Sequence, residues 1–254
     1  MLYITGDCHA KWGEKFSTGV FPEQKEMTRE DFVIVCGDFG IWHDNKTERW
    51  WLDWLADKPF TLCFVDGNHE NFDRLYSDEF EMVDFHGGKA HKIRDNIYHL
   101  MRGYIFEICD KKIFAFGGAS SHDIQDGILD RENFVSEEEF KDTVHEWYTK
   151  DKWFRINHMS WWKQELPNEE EMEFGRRNLK EHDNRVDFIV SHCCPQRVAS
   201  AFSNGSYKAD QLTNYFNEID DSVEFTKWFF GHYHDNAQIL GKYHLLYEQI
   251  VRVV

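Results

Sequence analysis

An α/β fold, with strands buried between layers, is the class this sequence predicts. Short apolar runs recur along the chain with helix-like runs between them. Most of these runs stay apolar at successive positions, the pattern of a strand covered on both faces. Several close on a glycine followed at once by a polar residue of metal-ligand type. Loops at the carboxyl ends of strands in open α/β sheets can aim side chains into a shared crevice.

The elements follow in order. Strands at 2–5, 32–36 and 61–65 each end at a glycine-containing motif, with a helix at 48–56 between the last two. Strands at 104–108 and 112–116 open a second set. The stretch from about 124 to 183 then breaks the pattern: it is acidic, carries Trp147, Trp153, Trp161 and Trp162, and lacks a clear strand. It reads as a helical insertion, with helices at 137–148 and 169–180, on a single domain spanning 1–254. Ser136 with Glu139, and Asn168 with Glu171, are spaced as N-terminal capping pairs. A strand at 186–190, a helix at 208–219 and a strand at 228–230 come next. Runs at 238–240 and 243–246, split by Gly241-Lys242, have the form of a hairpin. No repeat or low-complexity linker interrupts the chain.

Composition narrows the function. The 254 residues carry 29 basic and 46 acidic side chains, a net charge of −17. Such a surface repels anionic membranes and makes long nucleic acid an unlikely partner, although bound divalent ions reverse the sign locally. There is no basic amino-terminal region and no long apolar stretch, so neither a signal peptide nor a membrane span is expected. Cys8, Cys36, Cys63, Cys109, Cys193 and Cys194 form no CxxC pair and read as reduced thiols of a cytoplasmic protein.

Five clusters carry the chemistry: Gly6-Asp7-Cys8-His9, Gly37-Asp38, Gly67-Asn68-His69-Glu70, Ser191-His192 and Gly231-His232-Tyr233-His234. Together they supply two aspartates, one asparagine and five histidines. Carboxylate, amide oxygen and imidazole suit Mn²⁺, Fe²⁺ or Zn²⁺ better than a soft metal; Ni²⁺ and Mg²⁺ remain open. A carboxylate can bridge two ions, and two ions about 3.5–4 Å apart can clamp the attacking and leaving oxygens of a displacement at phosphorus. Each motif alone is weak; five in order after strands is a strong signal.

That ordered set resembles the calcineurin-like metallophosphoesterase superfamily, over nearly the whole chain from Gly6 to His234. The resemblance implies a four-layer β-sandwich, two mixed sheets flanked by helices, with a site for two divalent ions at one edge. It implies that Asp7, His9 and His234 bind the first ion, that Asp38 bridges both, and that Asn68, His192 and His232 complete the second. It makes His69 a catalytic group facing the phosphate, a role that fits imidazole, whose pKa lies near working pH. Glu70 would hold the loop or a histidine. The implied reaction is attack on phosphorus by a hydroxide between the two ions. This chain departs from the protein phosphatases of the superfamily. Its second motif runs Gly37-Asp38-Phe39-Gly40-Ile41-Trp42-His43, and Phe72 stands where they carry an arginine.

The substrate-binding arginine must therefore come from elsewhere, and Arg74, Arg94, Arg102, Arg176 and Arg177 are candidates. The glycine-rich run 116–123 follows a strand, so His122 or Asp123 could touch substrate. Trp161 and Trp162 fit better as pins between insertion and core than as a base-stacking cap. The expected function is hydrolysis of a phosphate mono- or diester of a small or nucleotide-like substrate. The alternatives are a phosphoprotein phosphatase and a non-catalytic metal-binding interaction protein on the same scaffold.

Overall fold

The computed structural model describes residues 1–254. Two large mixed sheets form its centre. In the first, β1 (Leu2–Thr5), β2 (Phe32–Val35) and β3 (Thr61–Phe64) run parallel, with Leu2 opposite Phe32 and Phe32 opposite Thr61. Three further strands extend it, β4 (Glu81–Phe85), β5 (Gly88–Arg94) and β6 (Ile97–Leu100), in the order β3-β6-β5-β4. The second sheet contains β7 (Tyr104–Ile108) and β8 (Lys111–Phe116), then β11 (Phe188–Ser191) and β12 (Lys227–Phe230). It ends in the hairpin β13 (Ala237–Ile239) and β14 (Tyr243–Leu245), while β15 (Ile250–Arg252) returns to pair antiparallel with β1. The strands β8, β11, β12 and β14 are mutually parallel.

Buried strands alternate between two apolar surfaces, which is why their sequences read as unbroken apolar runs. Leu2, Ile4, Ile34 and Cys63 meet Ile113, Val190 and Phe229 between the sheets. Tyr3, Val33 and Leu62 point outward against α1 (Trp12–Phe16) and α2 (Lys46–Ala56) through Trp12, Phe16, Leu52 and Leu55. The short α3 (Phe72–Leu75) follows β3, and α4 (Glu137–Thr149) lies in the 124–183 stretch. On the far side, Phe114, Ile189 and Trp228 are covered by α5 (Glu169–Glu181), α6 (Gln196–Ser203) and α7 (Gln211–Ser222). The result is a helix–sheet–sheet–helix sandwich, as the motif set implied.

Capping chemistry sets the helix starts. Ser136 accepts from the Glu139 N–H, Asn168 and Glu171 form a reciprocal box, and Asp210 with Thr213 forms another. That last box starts α7 at Gln211, three residues after the predicted start at 208. Three strands between 81 and 100 were not predicted. β4 is a largely exposed edge, and β5 interleaves Lys89 and Lys92 with its apolar side, so neither shows an apolar run. The 124–183 stretch holds, besides its helices, a parallel pair absent from the sequence reading: β9 (Gly127–Leu129) and β10 (Phe154–Ile156). Each has three residues, too few to display a period. All six cysteines are free.

Candidate metal centre

The five clusters lie just past the carboxyl ends of β1, β2, β3, β11 and β12, where the parallel strands of both sheets finish. The loops there are tightly drawn. His9, Asp38, His232 and His234 all adopt left-handed backbone conformations, a cluster of strain of the kind functional sites retain. Gly37 also has positive φ, and a Cβ on it would lie 2.2 Å from Nδ1 of His192. A Cβ on Gly231 would lie 2.0 Å from Oδ1 of Asp7. Glycine precedes these ligand-type residues because another motif's side chain occupies the space.

Asp7, His9, Asp38 and His234 present ligand atoms that all lie within 4.8 Å of one another. Nε2 of His9 is 2.9 Å from Nε2 of His234, and Nε2 of His234 is 3.2 Å from Oδ2 of Asp7. Both carboxylates are buried and aimed by backbone donors from other motifs. The His232 N–H donates to Asp7, and the His69 N–H donates to Asp38 at 2.7 Å. Burial opposes ionisation of Asp7, but the neighbouring His192, hydrogen bonds from His234 and His9, and the His232 N–H hold it well below the usual carboxylate range. Beneath it, the buried Lys15 ammonium donates to the carbonyls of Gly6, Asp7 and Tyr247, tying this loop to the chain before β15.

His192 tests whether this set fits a cation. Its Nδ1 lies 2.7 Å from the Cys36 carbonyl, which can only accept, so Nδ1 carries the proton. In a neutral ring Nε2 is then a lone pair. It faces Oδ1 of Asn68 at 3.2 Å and Oδ1 of Asp38 at 3.3 Å. Three acceptors converge on one buried point, and a positive charge must stand between them. A proton on Nε2 is one solution: burial pulls the imidazole down, but Asp38 and Asp7 overcome it and hold it up at about 10. A divalent ion is the other, and the oxygen and nitrogen donors suit one.

The remaining predicted residues are distributed unevenly. His232 reaches the same region, its ring 5.0 Å from that of His192. His122 is brought in from the 116–123 loop, with Nε2 2.8 Å from Nε2 of His232. Glu70 faces away from the ligand set, accepting from the Phe39 and Gly40 N–H groups and fastening the 37–40 loop to the 67–70 loop. His69 sits beside His9, ring centres 5.2 Å apart, and burial lowers its pKa. The candidate arginines are a correction. Arg74 is taken up by Glu48 and Glu79, each at 2.6 Å, and Arg94 by Asp53. Arg102 is buried on Asp66, Arg176 pairs with Glu169 and Glu218, and Arg177 lies over the Phe174 ring.

The arginine that does reach the site is Arg155, from β10. Its Nη2 stands 3.5 Å from Nε2 of His69 and 2.6 Å from the carboxylate of Asp123. Asp123 thus serves as the tether of that arginine. Nothing in Phe154-Arg155-Ile156 marks this role in the sequence. Trp162 is buried, 5.2 Å from the Trp42 ring, and donates to Asp73, pinning the 124–183 stretch beside the site.

A family profile described as calcineurin-like phosphoesterase matches residues 2–236. The chain belongs to that family. The match takes in all five motifs, from Gly6 to His234. It is similar to lariat debranching enzyme A of Xenopus laevis, 24% identical over 163 residues, which is 58% of this chain and 28% of that protein. The chain therefore spans well under a third of the curated relative's length. Among solved structures it aligns with a phosphopantetheinyl hydrolase from Mycobacterium tuberculosis, covering 97% of this chain and 89% of that one, at 15% identity and a TM-score of 0.42.

Proposed function

We propose that this protein hydrolyses a phosphate mono- or diester of a small or nucleotide-like substrate at a centre for two divalent metal ions. The convergence of His192 Nε2, Asn68 Oδ1 and Asp38 Oδ1 on one buried point, next to the four-residue cluster sharing Asp38, is the observation that carries it. Asp7, His9 and His234 would hold one ion, Asn68, His192 and His232 the other, and Asp38 both. Manganese is the first choice for each. Bound there, the ions would neutralise phosphate charge and make water acidic enough to supply a nucleophile near neutral pH.

The chain's own groups complete the site. Burial lowers the His69 pKa, so the neutral ring would offer an N–H to the phosphate, and only the imidazolium, formed by taking up a proton, would protonate the leaving oxygen. Arg155, held by Asp123 through Nε and Nη2 and by the Ser160 carbonyl through Nη1, brings the Nη2 edge of its positive charge to the same place, where it would meet a phosphate oxygen. Trp42 and Trp162 wall this side against water. The net charge of −17 favours a compact substrate over a long polyanion. No helix is long and apolar enough to cross a membrane. We place the activity in the cytoplasm and the whole chain in one domain, with 124–183 as an insertion that supplies Arg155.

The test is hydrolysis of an aryl phosphomonoester and an aryl phosphodiester, side by side, with Mn²⁺ and with chelator. Metal-dependent turnover supports the proposal, and the ratio of the two rates assigns the substrate branch. Protein shown to hold two ions that turns over neither ester, nor any of a panel of phosphorylated metabolites, would refute it.

A further inference from the structure

Asn68 can serve the centre only if its amide oxygen, and not its nitrogen, faces His192 and Asp38. Nothing on its own loop enforces that choice. The Asn68 Nδ2 donates instead to the Ser121 hydroxyl, at 3.4 Å. That hydroxyl donates to Oε2 of Glu165 at 2.6 Å, and the Ser121 N–H donates to Oε1 at 2.9 Å. All three side chains are buried.

We infer that Glu165, through Ser121, is a positioning residue that sets the amide orientation of Asn68 and thereby completes the second metal site. The inference rests on the two-ion reading above. Its logic is one of donors and acceptors. As a carboxylate, Glu165 accepts at both oxygens and the Ser121 proton points to it; burial raises this carboxyl to about 7, so the relay runs in this sense above that pH, where metal binding is measured. The lone pairs of Ser121 are left for Asn68, which must offer its NH₂ and turn its oxygen to the opposite side. That side is the point on which His192 Nε2 and Asp38 Oδ1 converge.

The relay is anchored at its outer end. The Gln164 carbonyl accepts from Arg102 at 2.7 Å, and the Glu165 carbonyl accepts from the Ala119 N–H at 3.1 Å. Arg102 in turn grips Asp66, two residues before Asn68. The turn 163–165 of the insertion is thereby fixed to both sheets, and the insertion becomes part of how the second ion is held.

Glu165→Gln is the decisive variant because it keeps size and shape while reversing the relay. The Ser121 N–H is fixed and needs an acceptor, so the new amide puts its oxygen there and its NH₂ on the Ser121 oxygen. Ser121 then donates to Asn68, and the Asn68 amide flips its NH₂ toward the metal site. Ser121→Ala removes the link outright and serves as the second variant. Mn²⁺ binding to metal-stripped protein is followed by calorimetry, with no activity readout. The expected result is two sites in the wild type and, in both variants, one site retained with the other weakened about 10–100-fold, the usual consequence of removing a group that orients a ligand. Ser121→Thr, which keeps the hydroxyl, should restore the second site. Variants that bind two ions as the wild type does would overturn the inference, as would equal weakening of both sites. A wild type that takes up fewer than two ions would overturn the two-ion reading itself, and this inference with it.

Discussion

Arg155 gives the sharpest test of how substrate is held. Its guanidinium is largely buried, tethered by Asp123 through Nε and Nη2, with Nη2 3.5 Å from the His69 imidazole. A phosphate oxygen within reach of His69 would also lie within reach of Arg155. A hydrogen bond to a charged group contributes about 1.5–3 kcal/mol, and removing it at a desolvated site forfeits that contribution. Arg155→Met keeps the aliphatic stem and deletes the fork. At about 1.4 kcal/mol per tenfold, kcat/KM should fall roughly 10–100-fold. Bound-metal stoichiometry should not change, since Arg155 faces His69 and not the ligand atoms. Asp123→Asn leaves the arginine but loosens its tether, and should show a smaller loss of about tenfold or less. The assay is steady-state kinetics on the preferred aryl ester, with competitive inhibition by inorganic phosphate measured in parallel. Phosphate should bind more weakly to Arg155→Met by a similar factor. A variant whose kcat/KM and phosphate inhibition both stay within threefold of wild type would show that Arg155 is only the partner of Asp123.

Three further outcomes can be checked. Asp38→Asn should weaken uptake of both ions, because the shared carboxylate is lost while the shape is kept; metal analysis showing two ions still bound would sink the bridging role. His69→Ala should retain its metals but lose turnover by about two to four orders of magnitude, the usual contribution of a positioned acid–base group. Turnover near wild type would remove His69 from the chemistry. His91 governs an acid-side stability term. Burial, and then the adjacent His99, push its imidazole from 6.5 down to about 4. The unfolded chain therefore takes up a proton in that window and the folded one does not, so stability is full above pH 6.5 and falls as pH drops toward 4. Allowing for partial screening, the loss is about 2 kcal/mol. Urea unfolding in chelator at pH 7 and 4.5 should show wild type losing about that much more than His91→Phe; parallel losses would refute it.

The candidate ligand set was legible because each member sits in a short motif attached to a strand end. Asp7, Asp38, Asn68, His192 and His232 need only their own glycine or strand terminus to reach the crevice, so local sequence carries the signal. The same holds for α4 and α5, whose caps Ser136 and Asn168 announce themselves three residues ahead of Glu139 and Glu171. Strands β4 to β6 stayed hidden because β4 is an exposed edge, Lys89, Lys92 and Arg94 interrupt β5, and β6 is a four-residue strand that carries a buried histidine.

The residues that sequence reasoning missed share one property: each acts on the site across a long stretch of chain. Arg155 meets His69 over a separation of 86 residues, Glu165 meets Ser121 over 44, and Ser121 meets Asn68 over 53. A charged residue at such a distance looks the same in sequence whether it is solvated or buried, and the arginines that seemed better placed, Arg74 above all, are neutralised by nearby acids. What distinguishes Arg155 is that its one carboxylate partner, Asp123, leaves part of the fork turned toward His69. Asp123 holds Nε and Nη2 and the Ser160 carbonyl accepts from Nη1, so the Nη2 edge left beside the His69 imidazole is the signal for the proposed substrate-binding role. That signal exists only once β10 has folded against β9 and Trp162 has docked on Trp42. The 124–183 stretch, which shows no ligand-type motif in sequence, thus brings to the site both the arginine proposed to meet the phosphate and the carboxylate inferred to orient Asn68.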